Sequence, residues 1–306
     1  MGNFRFCSVN SRGNPVKNLI CINTYNSLSL VRTFVWDYIL FTTSNPEYDF
    51  IVSLDGSDRE TIEYCDRYGI PLLFSQENEG VGISKNRVIK SFPDYDHYFF
   101  IEDDAELLNP EVFDIHITLS KKLNIPHFSL FNKDRIREVQ QVREAEGYHI
   151  IGALYGGAPF NFFTREGLEK VGGFHTEFAK YKRFGHTEHS YRFYHAGLSD
   201  YPFQIIEECI RGYIGWHEPS SRIKLSVDTS ENWLFVGEEA LIAQKLTHFP
   251  LQTLSPYQGA HLENVGRTEN VRIDKMYPQY KKYFFRKMAL LNLARKIKTM
   301  IRPIKR

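Results

Sequence analysis

The chain has 306 residues, 42% hydrophobic and 25% charged, the balance of a globular protein of one or two domains rather than a disordered tail or fibrous repeat. No apolar run reaches the roughly 18 residues needed to cross a bilayer, and the N-terminal MGNFRFCSVNSRG lacks the apolar stretch of a signal peptide. Cys7, Cys21, Cys65 and Cys209 form no CxxC pair, which argues against a disulfide scaffold or a cysteine zinc site and for a reducing compartment. Net charge is +1, but residues 275–306 hold eleven Lys/Arg and no Asp/Glu, leaving 27 basic against 37 acidic residues elsewhere. A mildly acidic body carries a basic tail.

In chain order, Asn18–Asn23 reads as a buried strand. Residues 28–41 read as a helix, with Leu28, Val31, Phe34, Val35 and Tyr38 on one stripe. Tyr48–Leu54 is a second strand. Ser57-Asp-Arg-Glu60 fits a capping box and predicts a helix start, with a stop at Tyr68-Gly69. Pro71–Phe74, a helix over 81–92, His97–Ile101, a helix over 110–123 and His127–Phe131 follow. Short apolar strands alternating with helices predict βαβ units on a parallel sheet covered on both faces. The charged stretch 133–147 predicts a solvated loop or surface helix. Residues 150–217 are richer in glycine and aromatics, and 218–274 read as a C-terminal lobe or lid.

Polar groups fall at the carboxyl ends of four successive strands: Thr24-Tyr25-Asn26, Asp55-Gly56-Ser57, Asn78-Glu79-Gly80 with Lys85-Asn86, and Glu102-Asp103-Asp104. Ligands of open α/β sheets bind outside those ends. Three adjacent carboxylates repel one another unless a cation separates them, and a hard divalent ion completed by phosphate oxygens is the usual solution. A solvated acidic turn is the alternative for this cluster taken alone.

This ordered series resembles the GT-A fold of nucleotide-sugar glycosyltransferases, especially inverting enzymes of the family 2 type. The resemblance covers residues 18–217 and implies an α/β, Rossmann-like, mostly parallel sheet flanked by helices, with a C-terminal acceptor-side region; the basic amphipathic tail helix is read separately from the spacing of its residues. It implies one catalytic domain over 1–217, with a nucleotide-sugar half near 18–132 and an acceptor half near 150–217. Thr24, Tyr25, Asn26, Asp55, Asn78, Lys85, Asn86, Glu102 and Asp103 would meet the donor. Asp104 would hold Mn2+ or Mg2+ on the diphosphate, and His217, after Tyr213-Ile214, is similar to the late histidine that completes such a metal shell; His261 is a lesser rival. Gly156-Gly157-Ala158 and Val171-Gly172-Gly173-Phe174 look like the acceptor-side segment. Where the family carries an acidic pair, this chain has Gly185-His186, so the catalytic base is expected at Glu188, with His189 and His186 next. The EDD form also looks like that of some N-acetylglucosaminyltransferases.

The reading that follows is a metal-dependent, inverting glycosyltransferase moving a hexosyl or N-acetylhexosaminyl group from a UDP-sugar to a hydroxyl of a glycan or lipid-linked glycan, in surface polysaccharide synthesis. The alternatives are a non-catalytic nucleotide or sugar binding module and a nucleotidyltransferase. The latter needs a Gly-rich basic loop after the first strand, where the chain has Asn23–Ser27. No P-loop, full dinucleotide-binding fingerprint or nucleophile elbow occurs. In the tail, Phe284, Met288, Leu291, Ala294, Ile297, Ile301 and Ile304 recur every three or four residues among Lys and Arg. That is a basic amphipathic helix suited to an anionic membrane surface, or to docking on the acidic body. A cytoplasmic protein, peripheral at the inner face of the membrane and with no nucleic-acid partner, is the expectation.

Overall fold

A computed structural model describes residues 16–133, 136–157, 159–176, 178 and 185–217. The expected lobe over 218–274 and the basic tail over 275–306 lie outside these residues. The central sheet has six strands: β1 (Asn18–Thr24), β2 (Tyr48–Leu54), β3 (Leu72–Phe74), β4 (His97–Glu102), β6 (His127–Leu130) and β9 (Phe160–Thr164), in the order β3-β2-β1-β4-β9-β6. A two-stranded ribbon pairs β5 (Ala105–Leu107) with β11 (Ile214–Trp216). A three-stranded sheet has the order β10 (Phe203–Ile206), β8 (Tyr148–Tyr155), β7 (Arg137–Ala145). The helices are α1 (Leu28–Thr43), α2 (Arg59–Tyr68), α3 (Val81–Ser91), α4 (Glu111–Leu123), α5 (Arg165–Val171) and α6 (Gly185–His195).

The first four strands are parallel, as the sequence predicts. The sheet is mostly parallel, as expected, and departs from parallel only beyond β4. β9 inserts antiparallel between β4 and β6 and draws on the half of the chain after residue 150. Side chains alternate between two cores because successive strand residues point to opposite faces. Ile20, Ile22, Phe99, Ile101 and Phe162 join one apolar cluster with α1, α2 and α4. Leu19, Cys21, Tyr98, Phe100 and Phe163 join the other with α3, α5 and α6. Cys21, Cys65 and Cys209 are free thiols buried in these cores.

Two local expectations are corrected. The cap of α2 is Asp58 rather than Ser57: its carboxylate accepts the Thr61 backbone N–H at 3.2 Å and also binds the Thr61 hydroxyl. The helix ends at Gly69, whose φ of 66° is the left-handed geometry glycine adopts without cost. Residues 137–145 are a strand, not a loop or helix. A bulge between Val139 and Gln141 adds a residue, so two valines spaced three apart share one face and the alternation that marks a strand is hidden.

Candidate functional site

β1, β2 and β4 end in register, with Asn23 opposite both Ser53 and Glu102, so the segments after them emerge at one edge. There the Thr24 hydroxyl donates to Asp103 Oδ2 at 2.5 Å, joining the first and fourth strand ends. Burial pushes the Asp103 carboxyl up to about 7, against the pull of the Thr24 and Ser27 hydroxyls, with Asp104 and Glu102 pushing the same way as burial. Asp55 accepts the backbone N–H groups of Glu79 and Gly80, both at 2.8 Å, and ties the second strand end to the loop after the third. Burial raises its pKa, and those two amides oppose the rise.

Tyr25 and Asn78 meet around Gly56. A Cβ there would lie 3.6 Å from the Tyr25 ring and 3.9 Å from the Asn78 amide, and its φ of 122° favours glycine. Glu79 also pairs with the buried Arg87 at 2.5 Å. Lys85 is 2% exposed, its ammonium 5.3 Å from the centre of the Phe174 ring. Burial lowers its pKa, and the Glu102 carboxylate is the leading influence favouring its charge. α1 and α3 begin at this same edge, with first-turn amides that favour an anion.

The ribbon of β5 and β11 brings the late histidine beside the acidic run. Trp216 pairs with Ala105, and the His217 backbone N–H donates to the Asp104 carbonyl at 2.9 Å. The His217 ring stacks on Phe34 at 4.7 Å between centroids, and its Nε2 lies 2.9 Å from Glu106 Oε2. Sequence reasoning missed Glu106 and Phe34. The available signal was the one-residue spacing from Asp104 to Glu106, which an antiparallel ribbon turns into neighbours of a facing histidine. Tyr38 was read only as core; its hydroxyl donates to the Ala105 carbonyl at 2.9 Å and anchors the segment after the acidic run.

Three expected site residues are engaged elsewhere. The Asn86 side chain is closed on the Phe174 backbone, accepting its N–H and donating to its carbonyl, each at 2.7 Å, so it clamps α3 to the Gly172-Gly173-Phe174 segment. Glu188 is 2% exposed and its two oxygens receive Arg192 Nε and Nη2 at 2.5 and 2.7 Å. That guanidinium also reaches the Val171 carbonyl at 2.9 Å. The pair locks α6 to the end of α5 and leaves Glu188 no oxygen aimed outward. His189 is in the core, its Nε2 3.0 Å from the Gly172 carbonyl, among Phe163, Phe174 and Phe193. His186, at the start of α6, has the Gly156 backbone as a hydrogen-bond partner and Lys85 as an electrostatic neighbour; burial depresses its pKa to about 4.

Among the described residues no three His, Cys, Asp or Glu side chains form a metal cage. The donor set still suits Mg2+ or Mn2+, which bind through one or two carboxylates and take remaining ligands from water and substrate phosphates. Asp104 and Asp103 supply such carboxylates, with the His217 imidazole one register step away.

No protein-family model matches the sequence, and no curated protein matches it. Solved structures do. TarS 1–349 of S. aureus in complex with UDP-GlcNAc aligns with a TM-score of 0.56 at 13% identity, over 78% of this chain and 69% of that one. The same TarS segment with UDP aligns at 0.52 and 11% identity, over 78% and 68%. A longer TarS structure aligns at 0.52 and 13%, over 74% of this chain and 39% of its own. The fold is GT-A. The chain spans 60% of the length of another TarS 1–349 structure, less than two thirds of it.

Proposed function

We propose that the protein is a glycosyltransferase that takes a nucleotide-sugar donor at the carboxyl edge of β1, β2 and β4. The observation that carries this is the convergence there of an acidic run, a buried lysine and two helix starts, held by the Thr24–Asp103 and Asp55–Gly80 links. Such a site offers carboxylates for a metal and a ribose, and positive potential for a diphosphate. TarS, crystallised with UDP and UDP-GlcNAc, supports a UDP-sugar. Asp104, assisted by Asp103 and His217, would hold Mn2+ or Mg2+. When bound, the ion stabilises charge on the departing nucleoside diphosphate. Thr24, Tyr25, Asp55, Asn78 and Glu102 shape the nucleoside side of the pocket. Lys85 faces the diphosphate, and Asn86 supports it from beneath.

Inverting transfer needs one base for the acceptor hydroxyl. His186 suits that role better than Glu188 or His189, because the latter two are committed to Arg192 and to the Gly172 carbonyl. The neutral His186 ring has the Gly156 backbone as a partner for one nitrogen, which leaves the other as a hydrogen-bond acceptor. The acceptor is a glycan hydroxyl of a surface polysaccharide or its lipid-linked precursor, and the basic segment 275–306 would hold a cytoplasmic enzyme against the anionic inner face of the membrane.

The experiment is a thermal-shift panel of UDP, GDP, CMP and dTDP, each with and without Mn2+. A rise with one nucleotide only when metal is present, lost in Asp104→Asn, supports the reading. No shift with any nucleotide overturns it, because a ligand selective for the native state must raise apparent stability.

A further inference from the structure

The outer strand of the three-stranded sheet has a sequence complementary to its own reverse. This outer strand is β7, with β8 as its one strand partner among the described residues; Arg137–Val142 are all exposed, while the half-buried Arg143 pairs with Asp200 at 3.2 Å. The strand reads Arg137-Glu138-Val139-Gln140-Gln141-Val142-Arg143-Glu144. Laid antiparallel against a copy of itself about a twofold between Gln140 and Gln141, it sets Arg137 opposite Glu144, Glu138 opposite Arg143, Val139 opposite Val142 and Gln140 opposite Gln141. Both charged pairs are of opposite sign and both apolar residues meet apolar ones. Shifting the register by one residue puts apolar against polar and turns every side chain to the other face.

The faces agree as well. Arg137, Val139, Val142 and Glu144 stand opposite Tyr155, Ala153, Ile151 and His149 of β8, so all four lie on one face of the sheet. Gln141 and Arg143, opposite Gly152 and Ile150, lie on the other. The bulge makes this possible, since without its extra residue Val139 and Val142 would face opposite ways. Two copies would bring four valines together, 48% and 53% exposed in the single chain, beside Ile151 and Ala153. A twofold interface requires that residue i meet j while j meets i, and this strand meets that condition at all four positions.

We infer that the partner of β7 is a second copy of this chain, joined strand to strand into a continuous six-stranded sheet across a twofold axis. The contact is small, so the dimer is weak and concentration-dependent. The test is the mass of the full-length protein by light scattering and sedimentation over a wide concentration range. The wild type should rise from 35.9 kDa toward twice that value. Arg137→Glu and Glu144→Arg each set like charges opposite one another and should weaken dimerisation about tenfold or more. Arg137→Glu/Glu144→Arg together re-pair the charges and should restore it. Unchanged melting temperatures show that the exposed substitutions leave the fold intact. A wild type monomeric at every concentration, single variants that dimerise normally, or a double variant that stays monomeric each overturn the inference.

Discussion

The Thr24 hydroxyl rests 2.5 Å from Asp103 Oδ2, one hydrogen bond linking the ends of the first and fourth strands. It gives a buried carboxyl one of its few donors. Thr24→Val keeps the shape and removes that donor. Hydrogen bonds to charged groups contribute about 1.5–3 kcal/mol, so nucleotide affinity should fall roughly tenfold or more while the fold remains. Calorimetric titration of the nucleotide that stabilises the wild type checks this; unchanged affinity would show that the link has no part in binding.

Glu188 and Arg192 give a second expectation. Removing one partner of a buried ion pair costs about 3–5 kcal/mol, so Glu188→Gln and Arg192→Met should each lower the melting temperature markedly. Glu188→Leu/Arg192→Leu leaves no stranded charge and should recover much of the loss. A Glu188→Gln protein with wild-type stability and no turnover would instead return Glu188 to the role of base, and His186→Asn with full turnover would remove His186 from it.

Much of the fold was legible because short apolar strands and amphipathic helices alternate through residue 132, and because the strand ends carry polar groups in order. The insertion of β9 was not legible, since pairing of β4 with β9 is a matter of tertiary contact between distant segments. The Glu188–Arg192 pair was not legible because a carboxylate in the first turn of a helix reads alike whether it faces a pocket or an arginine one turn on. The Asn86 clamp on Phe174 was hidden for the same reason: an amide at a motif position reads alike whatever backbone it faces.

Acid should destabilise the protein in a defined window. Burial holds His116, His127 and His186 at a pKa of about 4, against about 6.5 for an exposed ring. As pH falls the unfolded chain takes up these protons first. The contribution of each ring is therefore complete above pH 6.5 and drains away between 6.5 and 4, by about 2 kcal/mol at pH 5 as an upper bound. Melting curves from pH 7.5 to 4.5 measure the slope. His116 lies among Phe128, Phe160 and Phe162, so His116→Phe should flatten it; an unaltered slope would mean that His116 does not contribute.

Gly156 leaves no room for a side chain. A Cβ there would sit 2.4 Å from the Phe131 ring and 2.7 Å from that of Phe203. Overpacking of this kind costs about 1–3 kcal/mol, so Gly156→Ala should lower stability and disturb the backbone that His186 holds. Denaturant unfolding reads the first effect. A variant as stable as the wild type would show that the two rings can move aside.

Since β9 lies between β4 and β6, the two halves of the 18–217 region share one sheet and cannot be parted near residue 132. A fragment ending at residue 132 would keep the ends of β1, β2, β3 and β4 yet bare the flank of β4, with Phe99, Phe100 and Ile101 along an open edge. Such an edge recruits other chains. The segment after residue 150 thus covers the flank of β4, and any rearrangement by recombination has to carry both halves across together.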